Sequence, residues 1–166
     1  MTPLELVEQI SEGIDFAPND LDTFLVEHPV EGQHLDYKSG MLADDGQGSA
    51  KLRRHVTGMA NAEGGVLILG VRDDRSIDGI NPKGGRSAKC WAENCISILV
   101  AQFTTPPHCF EIVHEKGTVL VVAIHRNGRL IPVVESGRTR YYLRLGEHTL
   151  VSSNEQRCLL EHDLNG

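Results

Sequence analysis

Long apolar runs are missing from this 166-residue chain: none approaches the ~20 residues that a membrane-spanning helix needs. The opening, Met1-Thr-Pro-Leu-Glu-Leu-Val-Glu, lacks the basic start and extended apolar centre of a secretory signal. A cytoplasmic protein with no membrane contact is the expectation, and its four cysteines should then be reduced. Those cysteines (Cys90, Cys95, Cys109, Cys158) include no Cys-x-x-Cys pair, and the eight histidines include no His-x-x-x-His pair. Neither common zinc pattern is present.

An excess of positive charge is missing too. Lys plus Arg number 16 against 23 Asp plus Glu, a formal net charge of −7. A phosphate-binding protein normally leaves a basic footprint. On this chain only a local basic patch would serve, or an acidic site that recruits metal ions. The glycine-rich stretch Asn81-Pro-Lys-Gly-Gly-Arg86 is not a phosphate loop, because no Gly-Lys-Ser/Thr follows at the required spacing. Arrangements for a serine or cysteine nucleophile find no support.

What is present is an ordinary globular balance, 40% hydrophobic and 23% charged, in a length that suits one domain over 1–166. Thr2-Pro3-Leu4-Glu5 reads as a capping box with proline at the first helical position. A second short helix is expected over 19–26, stopped by Pro29. His34 to Lys38 alternates like a strand, which puts Asp36 and Lys38 on one face and Leu35 and Tyr37 on the other. Taken alone, that face reads as a solvated edge strand with an internal ion pair. After a polar loop over 40–48, a helix from Ser49 to Asn61 buries Leu52, Val56, Met59 and Ala60, with Lys51, Arg54 and His55 opposite.

Gly64 suits the left-handed residue that ends this helix. Val66 to Leu69 is apolar at every position, as in a central strand covered on both faces. Ser76 to Ile80 is expected to return as a hairpin strand, Ser87 to Phe103 to form a helix, and Cys109 to His114 and Val119 to Ile124 to pair. Trp91 in that helix reads as core, with base stacking as the other use of such a ring. In a last strand over 140–146, Arg140, Tyr142 and Arg144 share a face. That face serves either as a nucleic-acid surface or as the wet side of an antiparallel sheet. Ser152-Ser153-Asn154-Glu155 reads as the capping box of a closing helix to about His162.

Several of these pieces, in this order, resemble the AlbA_2 domain of the Schlafen family, also described as a divergent AAA-type ATP-binding domain. They are Glu31, the triplet Asp36-Tyr37-Lys38, Asn61-Ala-Glu-Gly64-Gly65, the apolar strand, Gly70-Val-Arg-Asp73, and Tyr141-Tyr142-x-Arg144-x-Gly146 before Ser152-Ser153. The likeness covers roughly 20–160. It implies an α+β fold, a single lobe with a mixed or antiparallel sheet and helices packed mainly on one side.

It also implies nucleic-acid binding, with an acidic triad in those members that cut tRNA and rRNA. Here the matching positions are Glu31, Asp36 and Asp73, holding Mg²⁺ or Mn²⁺, with Lys38 stabilising developing charge and Lys51, Arg53, Arg54, Arg72, Arg140 and Arg144 positioning the phosphate backbone. Asp36 departs from the glutamate of those nucleases. Eukaryotic Schlafens clamp RNA between two such lobes in one chain, so by the resemblance a homodimer is expected. The alternatives are a non-catalytic DNA- or RNA-binding module in transcriptional regulation, a protein-interaction domain, and an ATP-binding domain, the last lacking its phosphate cradle.

Overall fold

The computed structural model describes residues 1–152 and residue 161. In chain order the elements are α1 (Pro3–Ser11), α2 (Pro18–Glu27), β1 (Leu35–Lys38), α3 (Gly48–Asn61), β2 (Gly65–Leu69), α4 (Ala88–Ile96), β3 (His108–His114), β4 (Gly117–Ile124), β5 (Val133–Glu135), β6 (Arg138–Arg140), β7 (Tyr142–Leu145) and β8 (His148–Val151). The first helix starts where the capping box sets it: the Glu5 amide donates to Thr2 Oγ1 (3.1 Å) and the Thr2 amide to Glu5 Oε2 (3.3 Å). No described helix is long and apolar enough to cross a membrane.

The four-stranded sheet runs β1-β2-β4-β3. β1 and β2 are parallel because α3 provides the crossover between them, while β2–β4 and β4–β3 are antiparallel. The α+β class and mixed sheet agree with the sequence reading. The placing of helices mainly on one side does not. Leu67, Leu69, Leu120, Val122 and Ile124 face α3 and α4, whereas Val66, Ile68, Val121 and Ala123 face α1 and α2. A strand apolar at every position needs cover on both faces, and the two amphipathic N-terminal helices supply the second cover.

The segment over 140–146 is also not one strand. β6 closes a hairpin with β5, β7 closes another with β8, and Tyr141 lies between them. Both hairpins pack against α3, and β7 also reaches β1 through Arg144. Ser76 to Ile80 makes a single bridge, Val71 to Ile77, rather than a strand. Residues over 40–44 form a 3-10 turn, not a loose loop. A Cβ on Gly40 would lie 1.6 Å from the Gly79 carbonyl oxygen, so two backbones cross there and only glycine fits. Trp91 is partly buried against the core. The expected closing helix lies outside the described residues.

Candidate functional site

The charged face of β1 is not solvated. Asp36 is fully buried between β1, α3 and β7, although β1 is an edge strand. Arg144 reaches it from β7: Nη1 donates to Asp36 Oδ2 at 2.9 Å, Nη2 donates to the Leu35 and Gly32 carbonyls at 3.0 and 2.9 Å, and Nε donates to Gly32 at 3.2 Å. Lys38 Nζ stands 3.3 Å from Asp36 Oδ1, an oxygen with no hydrogen bond of its own. His55 on α3 completes the group, with Nδ1 3.6 Å from Asp36 Oδ2 and 3.2 Å from Thr149 Oγ1. Arg144, expected as a phosphate contact, is therefore a buried counter-ion.

Glu31 sits beside this cluster and accepts the Tyr37 amide at 2.8 Å. Desolvation and a hydrogen bond to the Asp36 carboxyl push it from an ordinary 4.5 up to about 7. Asp73, by contrast, is exposed in the turn after β2. The acid knitted to the end of β1 is Asp78, which accepts from the Ser39 hydroxyl and the Gly40 amide, with Arg72 at 3.6 Å. Among the described residues no three His, Cys, Asp or Glu side chains are grouped to hold a metal ion. Asp36 is answered by Arg144 and Lys38, and Asp73 stands exposed in the turn after β2, so the three carboxylates do not converge as the oxygen donors of Mg²⁺ or Mn²⁺ must. As placed, Glu31, Asp36 and Asp73 do not fit a divalent ion.

Burial, reinforced by Lys38, pulls His55 from 6.5 down to about 4. The two shifts oppose each other in pH. Glu31 holds a proton in the folded state that the unfolded chain releases between 4.5 and 7, so it loses stability as pH rises through that window. Folded His55 refuses a proton that the unfolded chain takes up between 6.5 and 4, so it loses stability as pH falls. Relative to the parent, Glu31→Gln is expected to lose stability on acidification in urea unfolding, by about 1–2 kcal/mol because solvent screens the half-exposed Glu31. His55→Gln should show the reverse slope, nearer about 2–3 kcal/mol. Slopes of equal sign in both variants would contradict the assignment.

Beside the cluster a cleft of about 540 Å³ opens between Lys38, Ser39, Asp44, Asp45, Lys51 and His55. Lys51, Arg54 and His55 lie on one side of α3, as their i, i+3 and i+4 spacing requires. Lys51 pairs with Asp45. Arg54 donates from Nε to Glu135 Oε2 at 2.6 Å, and its guanidinium lies 5.6 Å from the centre of the Tyr142 ring. Arg140 neighbours the same Tyr142 hydroxyl and Glu135 carboxylate, and Arg138 pairs across the hairpin with Glu135. Arg53 turns the other way, donating to Ser49 Oγ at 2.7 Å and the Cys95 carbonyl at 3.2 Å. Arg72 is exposed but stands apart, beside Asp78.

The motif residues themselves are largely architectural. Asn61 is buried, accepts the Ile131 amide at 2.7 Å and donates to the Ile131 and Tyr142 carbonyls at 3.1 and 2.9 Å. A Cβ on Gly64 or Gly65 would come within 2.6 Å of the Ile124 or His34 carbonyl oxygen, so the glycine pair lets β2 start in contact with its neighbours. His55 and Glu135 were not singled out as site residues from sequence. The available signals were the position of His55 one turn beyond Lys51 and the isolation of Glu135 among arginines.

The fold and site define an α+β domain in which a buried ion cluster anchors the β7–β8 hairpin, and the Arg54–Glu135 pair the β5–β6 hairpin, to α3. The chain belongs to the Schlafen AlbA_2 family, whose model ("Schlafen, AlbA_2") matches residues 31–151. Among solved structures it is similar to the DIP2311 protein from Corynebacterium diphtheriae, at 20% identity and a TM-score of 0.57, over 81% of this chain and 24% of that one. The chain thus spans about a quarter of that protein's length, and the likeness is one of fold. It also aligns with the N-terminal domain of a RecG-related protein from Nitrosomonas europaea, at 21% identity and a TM-score of 0.44, over 88% and 95% of the two chains. No functionally curated protein matches the chain.

Proposed function

We propose that this domain binds nucleic acid through its phosphate backbone, along a track from Lys38 and Lys51 at the cleft to Arg54, Arg138 and Arg140 at the β5–β6 hairpin. The observation that carries this reading is charge segregation. Residues 125–144 hold five arginines (126, 129, 138, 140 and 144) and one acid, Glu135, a local +4 in a chain of −7. Arg144 is buried; Arg126, Arg129 and Arg138 are exposed.

The turn that displays Arg126 and Arg129 is held firmly. Asn127 takes the Thr104 amide at 2.7 Å and donates to the Gln102 and Arg129 carbonyls at 3.0 and 2.8 Å. Arginines on a rigid turn lose little entropy on meeting phosphate, and family membership supports the same reading. The Glu31–Asp36 pair enters it as the structural anchor of β7, not as a metal site.

The test is incubation of purified protein with tRNA, single-stranded DNA and double-stranded DNA, with Mn²⁺ or Mg²⁺ and with EDTA, followed by native and denaturing gels. Retarded but intact nucleic acid, unaffected by EDTA, is the expected result. Metal-dependent cleavage abolished by Glu31→Gln would replace the reading with the nuclease one, and absence of both binding and cleavage would overturn it.

A further inference from the structure

Glu135 is held more firmly than a surface carboxylate needs to be. Its Oε1 accepts the Tyr142 hydroxyl and its Oε2 the Arg54 Nε, so both oxygens are engaged. Its side chain is only 13% exposed. The two-residue turn Ser136-Gly137, with φ of 50° and 75°, fixes the hairpin in the form that sets Arg138 directly across from Glu135. Arg140 shares the Arg138 face of β6 by strand alternation and acts on both Glu135 and Tyr142. Two guanidiniums, Arg54 and Arg140, therefore act on one carboxylate, with Arg138 opposite it in the hairpin register. A carboxylate and a phosphate present the same two-oxygen edge to an arginine fork.

We infer that Glu135 is a resident phosphate mimic: it occupies the place of a backbone phosphate between Arg54 and Arg140, and it sets the affinity threshold of that site. The inference rests on the nucleic-acid reading above and deepens it. Burial alone would raise the Glu135 carboxyl, but the hydrogen bonds from Tyr142 and Arg54 outweigh burial and keep it ionised. An isolated phosphate must displace this fixed anion, and Tyr142 then loses its acceptor. A strand carrying several phosphates meets Arg126, Arg129, Lys51 and Lys38 as well, and those contacts offset the displacement. The device thus selects polyanions over single phosphates.

The experiment is fluorescence-anisotropy titration of a labelled single-stranded oligouridylate, across a salt series, with inorganic phosphate as competitor. Glu135→Gln keeps the shape and removes the charge; Glu12→Gln, on an exposed site of the α1 end, makes the same change in net charge elsewhere. Glu135→Gln is expected to bind about tenfold tighter than Glu12→Gln, with a salt slope steeper by about one phosphate contact. It should also become sensitive to competing inorganic phosphate. Adding Arg54→Gln should abolish the gain.

Parent protein that binds while Glu135→Gln binds no tighter than Glu12→Gln overturns the mimic and leaves the general reading standing. Failure of every form to bind overturns both. A gain that survives Arg54→Gln also overturns the mimic. Should Glu135→Gln not fold, Tyr142→Phe, which frees one carboxylate oxygen, is expected to tighten binding; unchanged or weaker binding there counts against it.

Discussion

Arg144→Ala is expected to destabilise the domain by about 3–5 kcal/mol, the range for breaking a buried pair by removing one partner. The truncation leaves Asp36 with no exposed surface and without its 2.9 Å donor, and strips the Gly32 and Leu35 carbonyls of their shared guanidinium. Lys38 is too exposed to neutralise the carboxylate alone, and His55 resists protonation. The double variant Asp36→Leu, Arg144→Met removes both charges and should recover much of the loss, since an apolar pair of similar volume avoids the desolvation of both ions. Urea unfolding of the two variants checks this. An Arg144→Ala protein as stable as the parent but deficient in nucleic-acid binding would return Arg144 to the role the sequence suggested.

The second large effect falls on Asn61. Asn61→Ala leaves the Ile131 amide without its acceptor and two carbonyls without their donor, in a region closed to water. Unsatisfied buried groups cost about 1–3 kcal/mol each, and relaxation should hold the total near about 3 kcal/mol. The damage should be local before it is global. Asn61 ties the end of α3 to the segments leading into β5 and β7, so their amides should exchange faster than those of β2 and β4. Equal protection loss in β2 and in β7 would show that the hairpins and the central sheet unfold as one unit.

These two residues show what was legible in the sequence and what was not. The helices α1 to α3 follow from a capping box, prolines at first turns and apolar spacing. β2 follows from an unbroken apolar run, and its register between β1 and β4 fits the glycine pair before it. That run also carried the need for cover on both faces, so the second helical layer was available from the same residues. The alternation placing Asp36 and Lys38 on one face of β1 was correct as well.

The burial of that face was not legible. It depends on β7 folding over α3 from more than a hundred residues away, and no local pattern in Asp36-Tyr37-Lys38 encodes it. The same long-range closure takes Arg144 out of the phosphate-binding set and makes His55 a buried neutral ring. Asp73 and Asp78 differ only in which side of a tight turn they fall. The turn geometry, set by backbone crossing at Gly40 and Gly79, brings Asp78 rather than Asp73 to the end of β1.

The central claim is that the carboxylates and Arg144 build the fold while the exposed arginines bind phosphate. The most direct measurement is a salt series of oligonucleotide binding by the parent, by Arg126→Gln/Arg138→Gln/Arg140→Gln and by Asp73→Asn, in EDTA. The account predicts parent affinity that falls steeply with salt, a triple variant of parental stability whose salt slope is shallower by about two to three phosphate contacts, and Asp73→Asn binding like the parent. A triple variant that keeps the parental affinity and slope, or binding that vanishes in EDTA or with Asp73→Asn, would contradict it.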